Sequence, residues 1–578
     1  GAVNQAGSIT NGGFATGLTT ISADIGSSVT GIFQNSATSN LTLSGANIAF
    51  TGGITVNAGI LTFTGGATTG PAVTALTVAA GGTLHLNNTV GQHIDLGSGG
   101  LSLGVGTGVS ALTLELGSTA NYDRLSTSAA ATTGNSVALN LAGIAGFQAG
   151  DYDLITAASG LGGATFSFGT VSGSLGGFTL ALTRSDTLVR LSAAANNSGT
   201  YYWSGGVNSS WGGMSAAGSN FTNDLAGAVN ANGIPGSANS VVFTGSNQTA
   251  TALSITLDGA MSIKDLTFNS QLGTGPLASV GIAPGTSGTL TITPSTGTGG
   301  INVQTGAPAT ITFSAPVTLG ASQTWTVADA ATILASSGGI GGTANLTKDG
   351  AGILTLSGTN SYVGATTITA GVLQAGAANG FNQTSAHTVS AGAILRLNAF
   401  NAAIGSLAGA GTVENGGAAN VTLTAGGDNS STTFSGALQN GATATLALTK
   451  VGNGALTLSG NSSTNTGAVN VNGGRLLITG TFDQGANLGS TGIGNGANTQ
   501  GALYVPAGGS YSSATLAIGG NASGVGSLVV TGGGSVAATT TTTTTGITHG
   551  NGGYGSVFLS GAGSSITMPR YDTGTNVT

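Results

Sequence analysis

Charge is what this chain most lacks. Asp, Glu, Lys and Arg together make up 4% of its 578 residues, against roughly 25% in an ordinary soluble domain. Lysine is reduced to Lys264, Lys348 and Lys450. The net charge of −7 is spread thinly, with no basic patch, so nucleic acid is not an expected partner. Cysteine is absent altogether, which excludes disulfides, thiolate metal sites and thiol catalysis. A protein that must cross a bacterial envelope gains from this, because no early disulfide locks it. No run approaches the roughly 18 apolar residues of a membrane-spanning helix. The opening GAVNQAGSIT has neither the basic start nor the apolar core of a secretory leader. Amphipathic helical periodicity is also missing.

Glycine, by contrast, fills 107 positions, and Thr, Ser, Ala and Asn occupy much of the remainder. Low charge with abundant glycine points towards disorder. Two features oppose it: hydrophobic residues still reach 39%, and there are only 9 prolines. The apolar residues also fall in short alternating runs, such as LTVAAGGTLHL, ATITFSAPVTL and GSLVVTGGGSV. Alternation at period two marks half-buried strands. The chain is expected to be ordered and almost wholly β.

One sentence is rewritten along it. TKDGAGILTLSGTNSYVGATTITAGVLQAG (Thr347 to Gly376) returns as TKVGNGALTLSGNSSTNTGAVNVNGGRLLITG (Thr449 to Gly480), with a blurred forerunner from Asn40 to Gly66. In the first copy ILTLSG, ATTITAG and VLQAG read as strands and TNSYVG as a turn. Each strand is too short to bury its apolar face alone, so successive coils must stack. Thr and Val suit pleated faces. Gly358, Gly364 and Gly371 fall at corners, where positive φ is expected. Asn360 is expected to stack on asparagines of neighbouring coils as an amide ladder. Scarce charge fits as well, since like charges in register repel. The expected fold is all-β: a parallel β-helix, or β-solenoid, in two or more stacked segments.

These residues resemble the passenger-associated β-strand repeat of bacterial autotransporters, most closely at Gly350–Gly376 and Gly452–Ile478 and in part at Leu41–Thr64. Leu516 to Val536 and Gly550 to Thr567 are similar to repeats shared by type V secretion passengers and PEP-CTERM-associated surface proteins. Tyr202 to Gly245 resembles the Trp-containing lead-in of such arrays. The resemblance implies an extracellular solenoid at a bacterial surface, right-handed by analogy, and no particular ligand. The expected divisions are an N-terminal solenoid segment over 1–120, a less regular capping segment and linker over 121–198, and a lead-in with a second solenoid segment over 199–345. Passenger-associated repeats follow over 346–482, and a terminal repeat segment over 483–578. The run Thr539 to Thr545 reads as a strand edge. No translocator barrel or Pro-Glu-Pro tail follows, and the natural protein is expected to be longer.

Candidates for chemistry are few. His85, His93 and Asp95 lie close in sequence, while His387 and His549 stand alone; a metal site needs convergent ligands and a second shell, and solvent-facing histidines are the plainer reading. Asp151 and Asp153 would share one strand face, and Asp123 adjoins Arg124. Glycoside hydrolysis needs two carboxyls across a cleft, whereas this setting reads as turn and cap. Gly426–Ser431 (GGDNSS) approximates a calcium-binding repeat only once. Trp203 and Trp211, with Tyr201 and Tyr202, are either a sugar-stacking platform or a plug for an open core end; the plug is favoured. Asn-x-Ser/Thr triplets such as Asn220–Thr222 follow from composition alone.

No catalytic, cofactor-binding or metal-binding residue is therefore expected. The expected role is non-enzymatic: stiff rods or fibres for surface architecture, cohesion or adhesion. The partners would be the chain itself, surface glycans or neighbouring cells, with no membrane-spanning segment. A specific glycan- or receptor-binding adhesin is the alternative, and a polysaccharide-degrading β-helix enzyme the third reading.

Overall fold

A computed structural model describes the chain except residues 46–49, 66–72, 197–198, 216–217, 245–250, 270–276, 286, 463, 486–488, 521–522, 540–546, 550–552, 570 and 574–578, and the side chains of 547–549 and 571–573. The threonine run from 540 onward lies outside the described residues. Those described are strands and turns, with one 3-10 turn at Leu161–Gly163. The fold is an all-β parallel solenoid, as the alternating runs predict. It divides into two compact units. The first comprises residues 1–249, 254–264 and 283–290; the second comprises 250–253, 265–282 and 291–578.

In the first unit one sheet runs Thr165–Gly173, Ser136–Gly143, Val109–Leu116, Gly82–Leu86, Gly59–Phe63, Ser39–Leu43, Gly17–Ile21, with every pairing parallel. Strands lying between these in the chain build a second parallel sheet, from Gly7–Asn11 to Thr132–Thr133. Each neighbour is thus reached only after a full coil. Register turns the leucines into a column: Leu41, Leu61, Leu84, Leu112 and Leu139 face one another in turn and are at most 1% exposed. The parallel pattern ends where Gly150–Thr156 and Phe178–Arg184 pair antiparallel with Leu188–Ala195.

The second unit has the same logic. Leu334, Leu354, Leu373, Leu395, Val413 and Leu438 form an unbroken column of register partners, each 0% exposed. Burying one such side chain contributes about 1.5–3 kcal/mol, an upper figure because unfolded chains already bury part of it. No strand could gain this alone.

Corner glycines follow two physical rules. Gly371 has φ +64°, as expected. Gly358 and Gly364 do not adopt positive φ; they are needed for space. A Cβ on Gly358 would stand 2.2 Å from the Gly339 nitrogen, and one on Gly364 would stand 2.1 Å from the Ala344 oxygen.

The amide ladder is corrected. Asn360 Oδ1 accepts the Ile340 N–H at 2.8 Å and Nδ2 donates to the Gly380 oxygen at 2.6 Å. It ties together backbones of the coils on either side instead of meeting other asparagines.

Two of the three lysines lie inside. Lys348 Nζ donates to the carbonyls of Asp349, Gly350 and Ala370 at 2.8, 2.7 and 3.1 Å. Lys450 Nζ repeats this with Val451, Gly452 and Gly473 at 2.5, 3.0 and 3.2 Å. Both side chains are at most 1% exposed. Where charges do stand in register they are opposite: Arg396 pairs with Glu414, Nε to Oε1 2.7 Å.

Candidate functional site

The histidine candidates separate. His85 sits on Gly82–Leu86, in register with Thr62 and Thr113. His93 and Asp95 belong to another sheet, on His93–Asp95, beside Arg124–Ser126. Ser126 joins the latter two: its Oγ is 2.8 Å from His93 Nε2 and donates to Asp95 Oδ1 at 2.8 Å. Because the hydroxyl proton goes to the carboxylate, His93 Nε2 must donate to Ser126. The imidazole is therefore not positioned as a base for a serine nucleophile. The Gly97 N–H, then Ser126, hold Asp95 below the usual carboxylate range. His387 is wholly buried; its Nδ1–H donates to the Ser385 oxygen at 2.8 Å and its Nε2 has no partner. The side chain of His549 lies outside the described residues.

The carboxylate candidates are spent on structure. Asp151 and Asp153 do share a face, where Arg190 binds both, NH1 to Asp151 Oδ2 at 3.1 Å and Nε to Asp153 Oδ1 at 2.6 Å. Asp123 and Arg124 part company. The Asp123 carboxyl group is 0% exposed and accepts the N–H groups of Gln92 and Glu115, each at 2.7 Å, while Arg124 lies over the Tyr122 ring. Gly426–Ser431 is a turn in which Asp428 Oδ1 accepts the Ser430 N–H.

The aromatic cluster is core. Trp203 and Trp211 are at most 1% exposed and meet at 6.2 Å between ring centroids, with Phe221 5.2 and 5.4 Å away. No indole face is open to a sugar. Beside them Asn220 is fully buried. Its Oδ1 accepts the N–H groups of Val207 and Asn208, and its Nδ2 donates to Asn208 Oδ1 and the Ser210 oxygen. It is thereby closed to glycosylation. Asn220→Ala, which strips all four bonds, is expected to cost about 3 kcal/mol; a lowered urea midpoint read from the buried tryptophans checks it.

An open groove of about 560 Å3 remains, between the corner segments 357–361 and 378–384 of two successive coils in the second unit. Asn360 pins one wall. Asn382 pins the other, its Nδ2 donating to the Tyr362 oxygen and its Oδ1 accepting from the Thr384 N–H and hydroxyl. Thr359, Ser361, Asn379 and Gln383 stand exposed on the rim, and no lining residue is charged. Sequence reading placed a turn here but not a groove, because the second wall comes from about twenty residues further on.

Comparison with known proteins agrees with this architecture. The passenger-associated-transport-repeat family matches residues 38–63, 346–375 and 448–478. The chain is 38% identical over 154 residues to a protein named adhesin BmaC autotransporter, from Brucella suis biovar 1 (strain 1330). That stretch is 26% of this chain and 4% of the relative's length. No solved structure matches. With the solenoid, the three repeat matches and this likeness in place, the chain carries passenger-associated-transport repeats and resembles part of an autotransporter adhesin, which supports a surface-exposed, extracellular location.

Proposed function

We propose that the chain is a non-enzymatic structural element of the bacterial surface, whose stacked coils give stiffness and make many weak contacts with like molecules, glycans or neighbouring cells. The observation that carries this is an uncharged outer column: Thr324, Thr347, Thr367 and Thr388 are successive register partners and point away from the core. Such a stripe offers repeated hydroxyls and no charge to steer a single partner. The carboxylates described above are held in ion pairs and backbone hydrogen bonds, His93 is bonded to Ser126 and His387 is wholly buried, which supports a role without a catalytic step. Negative-stain electron microscopy across a concentration series tests it. Fibres that lengthen with concentration are expected; separate particles at every concentration would remove self-assembly from the reading.

A second reading, a dedicated glycan or receptor adhesin, is favoured by the groove at 357–361 and 378–384. Its walls are pinned before any ligand arrives, which lowers the ordering cost of binding. Beads coated with the chain should then lose cell attachment after Ser361→Arg with Gln383→Arg, while melting unchanged. Attachment that survives this pair returns the contact to the diffuse threonine face.

A further inference from the structure

We propose that the first unit carries a strand-addition site. The cleft of about 350 Å3 between Thr165–Gly173 and Phe178–Arg184 takes an extended, uncharged peptide segment of another protein, with apolar side chains at alternate positions. The lining itself shows which part of each strand faces the cleft. It includes the consecutive residues Phe166–Phe168 and, opposite, Thr179–Leu182. Successive side chains of a strand point to opposite faces, so a cleft lined by consecutive residues runs along strand edges.

Among the described residues both edges are covered at one end and open along the rest of the cleft. Thr165–Gly173 ends its seven-stranded sheet; beyond Ser136–Gly143 it is met only past the cleft, where Thr170 bridges to Gly213 and the Val171 N–H donates to the Gly212 oxygen. The short strand Gly233–Ile234 covers Phe178–Arg184 only at Phe178 and Thr179, and Leu180 N–H then reaches the Asn232 oxygen. Register assigns the free groups. Thr165 N–H bonds to the Asn135 oxygen, so in a parallel ladder Thr165 and Ser167 turn inward and Phe166 and Phe168 turn N–H and C=O to the cleft. Ser185 N–H bonds to the Leu188 oxygen, so Ala181 and Thr183 bond within the hairpin and Leu182 faces out.

The walls are apolar. Phe166, Leu180 and Met214 are buried, Phe168 and Leu182 half-buried, and no lining residue is charged. The Arg184 guanidinium, donating to the carbonyls of Gly162 and Ala164, ties the two strands together at one end. Free edges recruit strands, with backbone bonds giving affinity and side-chain pockets giving selectivity. A small apolar ligand would leave the edge groups unsatisfied. The chain's interior strands of suitable pattern, such as Ile353–Leu356, are already paired on both sides, and the uncharged, apolar lining matches an uncharged extended segment supplied by another protein.

The test uses the whole chain and a capped, dye-labelled heptapeptide copying residues 352–358, GILTLSG, beside a twin N-methylated at alternate residues. Fluorescence polarisation should show saturable micromolar binding of the first peptide. The twin should bind about tenfold or more weakly, because methylation removes the edge donors and keeps the side chains. Phe168→Glu should weaken the first peptide by a similar factor. Equal binding of the two peptides would make this a side-chain pocket and overturn strand addition, as would the absence of saturable binding. Self-association that the peptide competes away would give the cleft to a second copy and overturn the assignment to another protein.

Discussion

Replacing Lys348 with methionine should lower the stability of the second unit by about 3 kcal/mol, and replacing Lys450 as well should roughly double the loss. An ammonium has three N–H donors, and each of these meets a carbonyl. Methionine matches the stem in length and adaptability but leaves three half-buried carbonyl acceptors without a donor, at about 1 kcal/mol apiece. Burial pushes each amine down to about 8, opposed by the charge of Asp349 for Lys348 and of Asp428 for Lys450, so both are still charged at neutral pH. Each cage also binds across coils, Lys348 to Ala370 and Lys450 to Gly473. The loss should therefore appear as early opening of adjacent coils. Urea midpoints of the single and double variants decide the matter; a double variant with an unchanged midpoint would show that the cages contribute nothing.

The two units should respond to pH in opposite senses. Burial pushes His387 down to about 4, against the hydrogen bond to the Ser385 oxygen and the charge of Asp428. Between about 6.5 and 4 the unfolded chain binds a proton there that the folded chain refuses. The stability His387 supports is complete above about 6.5 and drains away as pH falls to 4, by about 3 kcal/mol. Asp123 does the reverse. Burial pushes its carboxyl up to about 8, outweighing the N–H groups of Glu115 and Gln92. The folded chain holds this proton where the unfolded chain has released it. Through Asp123 the first unit therefore loses a few kcal/mol as pH rises from about 4 to 8, opposed in part by His85 and His93, whose imidazoles burial pushes down. Hydrogen exchange of buried strand amides, read separately in the two units, should show the second protected better at pH 7 than at pH 4.5 and the first the opposite. His387→Phe and Asp123→Asn should each flatten the slope of their own unit. Parallel slopes in both units would refute the assignment.

Strand character was legible because period two in ILTLSG or LTVAAGG needs no knowledge of neighbours, and Leu354 and Leu356 do face inward. That Trp203 and Trp211 turn inward was legible for a similar reason: their size alone demands burial. What depends on the next coil was not legible. Gly358 and Gly364 look like flexible corners, and only the approach of Gly339 and Ala344 shows that they supply room. Asn360 has a local preference for turns, but its two partners lie twenty residues away on either side. Lys348 and Lys450 occupy the same place in two copies of one sentence, a signal of a shared structural role in a residue type that ordinarily lies at the surface. Ser126 carried no signal as the residue bridging His93 to Asp95, since coil length is too variable to count across.

That variability has a kinetic meaning. Along the column Leu334, Leu354, Leu373, Leu395, Val413 and Leu438 the steps are 20, 19, 22, 18 and 25 residues, the differences of the residue numbers. Every pairing therefore closes a loop of similar, modest size, and the entropy of closure grows only slowly with loop length. Once one coil has formed, the next has a template, and adding coils adds no slower step. Such a chain can fold progressively from one seeded coil, however many coils are still to come.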